Sequence, residues 1–195
     1  GLPGPWSASN DGDPIVLYDE TADRWVLTQF ALPNYPFAPF YQLIAVSTTG
    51  DPTGSYYLYA YEFASMPDYP KFGIWGDGYY MSANRFGSGS GQYEGTLAAA
   101  FDRTSMLAGL PAIMILFNNG TNTGSLLPSD CDGTLPPVGT PNYFIEAYGS
   151  GGNNNLEYFE FHTDWITPGN STFTGPTLIP VTSYSQPGRA PQLGT

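Results

Sequence analysis

Three carboxylates stand beside similar apolar, strand-like runs in different parts of the chain. Asp13 precedes the first run, Asp77 follows the second and Glu146 closes the third. Hydrolysis of a glycosidic bond uses two carboxyl groups about 5 to 10 Å apart, so these residues fit that chemistry if the fold brings them together. Aspartates beside glycine or proline also cap tight turns through their own hydrogen bonds, which is their more frequent use. Both interpretations remain open from the sequence.

A second acidic motif, Asp130-Cys131-Asp132-Gly133, has the chemistry of a calcium loop. Carboxylates at positions i and i+2 before a glycine can supply oxygen ligands to Ca²⁺. An EF-hand loop would also place an acidic residue at its twelfth position, and none stands at that distance from Asp130. The motif therefore fits either a calcium site at Asp130 and Asp132 or a solvated turn.

Aromatic residues in or beside the expected loops form the third group of candidates. Exposed aromatic rings stack on sugars and anchor protein interfaces. They also close the ends of sheets, which is the alternative at each position. The candidates for contact with a ligand or partner, a protein or a glycan, are Tyr35, Phe37, Phe40, Tyr93 and Trp165.

Composition excludes several functions. The chain of 195 residues has 17 acidic and 5 basic residues and a net charge of -12, which repels phosphate backbones and argues against nucleic-acid binding. A single cysteine rules out an intrachain disulfide. No run approaches the ~20 apolar residues of a transmembrane helix. Few lysines and many polar and aromatic residues indicate a secreted, periplasmic or cell-surface protein.

The elements that must position these residues are short strands separated by glycine- and proline-rich turns. The pattern predicts an all-β fold built from β-propeller blades of four antiparallel strands, with a β-sandwich as the alternative. We predict a single partial propeller over residues 1–195. Its three blades are predicted at about 11–66, 67–118 and 126–183, with an inserted loop at 119–138 and a linker to a further blade at 184–195.

Three motifs carry a resemblance to a known group. GDPIVLYDETADRW, YPKFGIWGDGYYMSAN, and DGTLPPVGTPNYF followed by FHTDW resemble uncharacterised secreted bacterial β-propeller proteins, which are loosely similar to sialidase-type Asp-box propellers. No strict Ser-x-Asp-x-Gly-x-x-Trp box is present. The resemblance implies a propeller fold and export. Sialidases bind their substrate carboxylate with three arginines, and the four arginines of this chain show no such arrangement in the sequence.

These patterns predict a non-enzymatic exported or cell-surface module that acts as a scaffold or binds a protein or glycan. The alternative is a propeller-type glycoside hydrolase that uses Asp13, Asp77 and Glu146. Asp13-Pro14 resembles the general-base position of five-bladed furanosidase-type glycoside hydrolases. Closed propellers have four to eight blades, so three blades would leave two open sides. We therefore expect further blades from the same chain or from another one.

Overall fold

The computed structural model describes residues 4–7, 9, 11–147 and 154–184. Strands make up 51% of these residues and helices 7%, which confirms the all-β prediction. No helix in the described ranges has the length and hydropathy to cross a membrane. The elements are β1 (Gly12–Asp19), β2 (Arg24–Ala31), β3 (Phe40–Ser47), β4 (Tyr56–Phe63), β5 (Met66–Ile74), β6 (Gly78–Phe86), β7 (Tyr93–Asp102), α1 (Arg103–Leu107), β8 (Met114–Asn118), β9 (Leu127–Pro128), β10 (Asn142–Glu146), β11 (Asn155–His162) and β12 (Thr172–Pro180), with short 3₁₀ turns at Gly4–Ser7 and Pro168–Asn170.

Each set of four consecutive strands forms one antiparallel sheet. The first sheet has the order β1-β2-β3-β4, the middle sheet β5-β6-β7-β8 and the last sheet β12-β11-β10-β9. Within each sheet, every strand pairs with its neighbour in sequence, as the frequent turn signals predict. The prediction of four-stranded antiparallel units is confirmed.

The middle sheet lies between the other two and contributes to both hydrophobic cores. Successive residues of a strand point to opposite faces, and β7 shows this directly. Its residues Leu97, Ala99 and Phe101 join the core shared with the first sheet. Ala98 and Ala100 join the core shared with the last sheet. The middle sheet therefore has no face of its own toward solvent along these central strands.

The second core is largely aromatic. Phe144, Phe159 and Phe161 of the last sheet are buried, and the rings of Phe144 and Phe161 lie edge-on to Tyr80 of the middle sheet. Phe159 and Phe173 stack with their ring centroids 5.2 Å apart. Each fully buried ring of this kind contributes about 1.5 to 3 kcal/mol relative to an exposed one. This core therefore fixes the last sheet against the middle sheet.

A buried ion pair joins the first sheet to the middle sheet. Asp19, at the end of β1, is fully buried. Its carboxylate accepts hydrogen bonds from Arg103 Nε at 2.6 Å and Arg103 Nη2 at 2.9 Å, and from the Tyr79 hydroxyl at 2.9 Å. Burial opposes ionisation of Asp19, but the hydrogen bonds and charge of Arg103 outweigh it and hold the pKa below its usual value.

Part of the stretch predicted as an inserted loop, 119–138, belongs to the last sheet, within the third blade predicted at about 126–183. It contains strand β9, and Leu126 beside that strand is buried in the second core. The carbonyl of Ser129 lies so close to β5 that a Cβ added to Gly73 would stand 2.3 Å from its oxygen. The close approach therefore requires glycine at position 73. The predicted linker lies outside the described residues from position 185 onward.

Candidate functional site

The strands carry the candidate residues to two opposite ends of the stacked sheets. We define the Arg103 end by the contacts of Arg103, which bonds to Asp19 after β1 and to the carbonyl of Gly76 after β5. The other end, called the Phe40 end, includes Phe40 at the start of β3 and Glu146 at the end of β10. Strand register assigns the candidates on strands to these ends, and hydrogen bonds and cavity linings place those in loops.

The three carboxylates do not share a cleft. Asp77 lies at the Arg103 end, where its carboxylate accepts hydrogen bonds from the hydroxyls of Tyr80 at 3.0 Å and Thr163 at 2.5 Å. Asp13 and Glu146 lie at the Phe40 end, in the first and last sheets. The middle sheet separates those two, and each sheet spacing is about 10 Å. No pair of the three is therefore placed to act on one glycosidic bond.

Strand direction explains why the repeated pattern did not bring them together. Asp13 begins β1 whereas Asp77 follows β5, and these two strands run in the same direction. Glu146 ends β10. Because β9 precedes β10 and forms the edge of the last sheet, β10 is the second strand of that sheet and not its first. Strand β9 has only two residues in a polar stretch, so it leaves no periodic signal in the sequence.

Glu146 is nevertheless an unusual carboxyl group. It faces Glu157 across the β10–β11 pair, and both residues are almost fully buried. The backbone N–H of Gly124 donates a hydrogen bond to Glu146 Oε2 at 2.7 Å. Burial, together with the hydrogen bond and charge of Glu157, raises the pKa of Glu146 to about 7. The pair can therefore hold a proton at neutral pH. Sequence reasoning missed Glu157, because only the strand register reveals it.

A cavity of about 690 Å³ opens beside Glu146 at the Phe40 end, between the middle and last sheets. This volume lies within the usual range of small-molecule sites. Tyr93 lines the cavity, and its hydroxyl donates a hydrogen bond to the carbonyl of Thr123. The lining residues are Asn84, Tyr93, Gly124, Ser125, Leu127, Ile145, Glu146, Ala147 and Leu156.

A second cavity of about 230 Å³ lies at the same end, between the first and middle sheets, with Tyr35 and Phe40 in its lining. Tyr35 is 65% exposed and the nearby Phe37 is 61% exposed, as expected for residues that contact a partner. Phe40 is only 1% exposed and belongs to the first core. It was predicted to contact a ligand or partner as an exposed ring, and its burial leaves little of that ring accessible.

The loop that carries Tyr35 and Phe37 is fastened to the middle sheet. The N–H of Gly89 donates to the carbonyl of Pro36 at 2.8 Å, and the N–H of Ala38 donates to Ser88 Oγ at 2.8 Å. The two exposed rings are therefore presented from a loop held at both sides. Such preorganisation lowers the entropic cost of binding.

The remaining candidates lie at the Arg103 end. Trp165 lines a third cavity of about 260 Å³, together with Trp75 and Asp77. Asp130 is also here, and its Oδ1 accepts a hydrogen bond from the N–H of Ile74 at 2.6 Å. No group of three or more His, Cys, Asp or Glu side chains gathers among the described residues in a way that suits a metal ion. Calcium at Asp130 and Asp132 stays a prediction.

Comparison of the chain with protein-family models, with curated proteins and with solved structures found no match. The resemblance to secreted bacterial propellers, and the fold and export that it implies, therefore stay predictions. The two ends of the sheets and their cavities are therefore the features that bear on function.

Proposed function

We propose that the three sheets are consecutive blades of a β-propeller in an exported protein. Each sheet is a four-stranded meander, and the sheets stack face to face in the order of the chain. Propeller blades follow one another in this way around a common axis. The acidic, lysine-poor composition supports export.

The two outer faces of the stack support further blades, from the same chain or from another one. On the first sheet, Val16 is 58% exposed and stands beside Tyr18, which is also exposed. On the last sheet, Leu127, Tyr143 and Ile179 are exposed large side chains of the outer face. Large apolar side chains on a sheet face are normally covered by a second layer. A further four-stranded blade would cover each face.

The isolated chain should accordingly associate through these faces. We expect Val16→Lys and Ile179→Lys to reduce that association, because each places a charge on one apolar face. Val138→Lys is the matched control, since Val138 is fully exposed in a loop rather than on a sheet. Size-exclusion chromatography with light scattering measures the mass. A monodisperse 21.0 kDa monomer of the unmodified chain would contradict the proposal.

We further propose that the module binds a neutral glycan at the Phe40 end without turning it over. The observation that carries this is the fastened loop with exposed Tyr35 and Phe37 beside a cavity. Aromatic rings on a fixed loop stack on sugar rings. The net charge of -12 disfavours polyanionic glycans. A binding role also agrees with the separation of Asp13, Asp77 and Glu146, which leaves the hydrolase alternative without a shared cleft.

Glycan-array screening with neutral oligosaccharides, followed by calorimetric titration of the bound ones, tests this function. Tyr35→Ala should weaken binding by about tenfold or more, as expected for a central aromatic contact. Tyr143→Ala is the matched control, because Tyr143 is an exposed tyrosine on the outer face of the last sheet. Equal affinities for the unmodified chain and Tyr35→Ala would contradict the proposal. So would turnover of a bound glycan that Asp13→Asn abolishes.

A further inference from the structure

The cavity at the Arg103 end has a lining of a different kind from the other two. The β5–β6 turn supplies Trp75 and Asp77, and the segment after β11 supplies Trp165. A segment that includes Pro136, Pro137 and Thr140 forms the proline-containing wall of this cavity of about 260 Å³.

The Trp75 indole is held by a hydrogen bond of its own, whereas Trp165 is held through the turn that carries it, since its buried Nε1 has no hydrogen-bond partner among the described residues. Trp75 Nε1 donates to the carbonyl of Thr140 at 3.2 Å, which fastens this ring to the proline-containing wall. The carboxylate of Asp164 accepts the N–H groups of Ile166 at 3.0 Å and Thr167 at 2.7 Å, which fixes the turn that carries Trp165. The cavity is therefore preorganised.

Glycine at position 78 lets the second indole approach the sheet closely. A Cβ added to Gly78 would lie 3.3 Å from Trp165 Cζ2, which is tighter than ordinary packing. The ring of Trp165 consequently rests against the start of β6, beside Asp77 in the preceding turn. Aromatic surface and a carboxylate thus meet in one small cavity.

The carboxylate of Asp77 has no cationic partner within the described part of the chain. Its two hydrogen bonds come from the neutral hydroxyls of Tyr80 and Thr163. Arg103 reaches the neighbouring carbonyl of Gly76, but its guanidinium pairs with Asp19. The cavity therefore combines an uncompensated negative charge with two indole rings.

We propose that this cavity binds an organic cation of the alkylammonium type. Indole rings attract such cations through their electron-rich faces, and the carboxylate adds a direct Coulomb attraction. Quaternary ammonium groups are recognised in this way because they are weakly hydrated and have an apolar surface of alkyl groups around the charge. Calcium would require about six to eight oxygen ligands, which indole and proline rings do not supply. The site lies at the end opposite the glycan surface and so adds a second ligand.

Titration with choline, followed by tryptophan fluorescence and calorimetry, tests the proposal. The neutral isostere 3,3-dimethyl-1-butanol has the same shape without the charge, so it should bind about tenfold more weakly or worse. Asp77→Asn should weaken choline binding by about tenfold while binding of the isostere stays the same. Trp165→Phe should weaken binding less than Trp165→Ala, because phenylalanine keeps an aromatic face.

Asp51→Asn is the matched control, since Asp51 lies in the exposed β3–β4 turn of the first sheet and outside the lining of the cavity; the change removes the same charge and should leave choline binding unchanged. Near-ultraviolet circular dichroism confirms that each variant is folded. Equal affinities for choline and its neutral isostere, or an unchanged choline affinity in folded Asp77→Asn, would overturn the proposal.

A second titration, with the amide of N-acetyl-trimethyllysine, identifies the source of the cation. Tighter binding than choline assigns the site to a side chain of a protein, and weaker binding assigns it to a free small molecule. The source does not alter the proposal, which fails if neither cation binds more tightly than the neutral isostere.

Discussion

Replacing Asp19 with alanine should destabilise the protein by about 3 to 5 kcal/mol, the usual loss when one partner of a buried ion pair is removed. Arg103 would keep its charge in a largely buried position, and the Tyr79 hydroxyl would lose its acceptor. Both groups join the first sheet to the middle sheet, so the loss should appear in the global unfolding transition. Urea unfolding followed by tryptophan fluorescence measures it.

Two further variants separate the ion pair from the loss of a side chain. Glu160→Ala breaks the pair between Glu160 and His162, which are 3.5 Å apart and partly exposed, and should change stability by less than about 1 kcal/mol. Adding Arg103→Met to Asp19→Ala should recover part of the lost stability, because no unpaired buried charge remains. A loss below about 1 kcal/mol in Asp19→Ala itself would show that the pair does not hold the sheets together.

The stability of the protein should fall as the pH rises from about 4.5 to about 7. Glu146 keeps its proton in the folded state up to a pKa of about 7, whereas the unfolded chain releases it near the ordinary value of 4.5. Between these two values the folded state binds the extra proton, so deprotonation favours unfolding. The expected decrease is about 2 to 3 kcal/mol. Above pH 7 this contribution should change no further.

Asp19 gives the opposite dependence at lower pH. Its folded pKa lies below the ordinary aspartate value of 3.8, so its contribution to stability is present above that value and is lost as the pH falls further. Maximal stability is therefore expected near pH 4 to 5, between the pH range in which the Asp19 contribution is lost and the range in which the Glu146 contribution is lost. Urea midpoints measured from pH 3 to pH 8 would give the full curve.

Glu146→Gln should remove the decrease between pH 4.5 and 7, because the amide does not titrate. Glu160→Gln is the matched control. Glu160 lies on the same strand as Glu157, but its side chain is partly exposed beside His162. The explanation fails if Glu146→Gln keeps the full pH dependence, or if Glu160→Gln removes it.

Local sequence patterns predicted the strands well but predicted distant contacts poorly. The first blade was predicted at about 11–66, and β1 to β4 all fall within it. The turn signals likewise predicted three successive sets of strands. Strand β9 was missed because two residues cannot show a period, and the buried part of 119–138 was missed with it.

Among the candidate site residues, exposure that follows from local sequence was predicted, and contacts between distant residues were not. Tyr35 and Phe37 were expected to be exposed because they lie in a proline-rich loop, and they are exposed. Phe40 follows the same loop but begins a central strand, and burial there depends on the packing of the middle sheet. The pairing of Asp19 with Arg103 spans 84 positions and has no local signal. The same holds for Glu146 and Glu157, which meet only through strand register.

The middle sheet also limits where this chain can change during evolution. Side chains at the centre of β7 must fit into two hydrophobic cores, since Ala99 packs in the core shared with the first sheet and Ala98 in the core shared with the last sheet. Larger side chains there would push two sheets apart, which cores at native packing density do not tolerate. New recognition chemistry in this part of the chain can therefore arise only in the loops at the strand ends. Because the Arg103 end and the Phe40 end lie at opposite ends of the strands, one scaffold can carry two unrelated ligand sites without alteration of its interior.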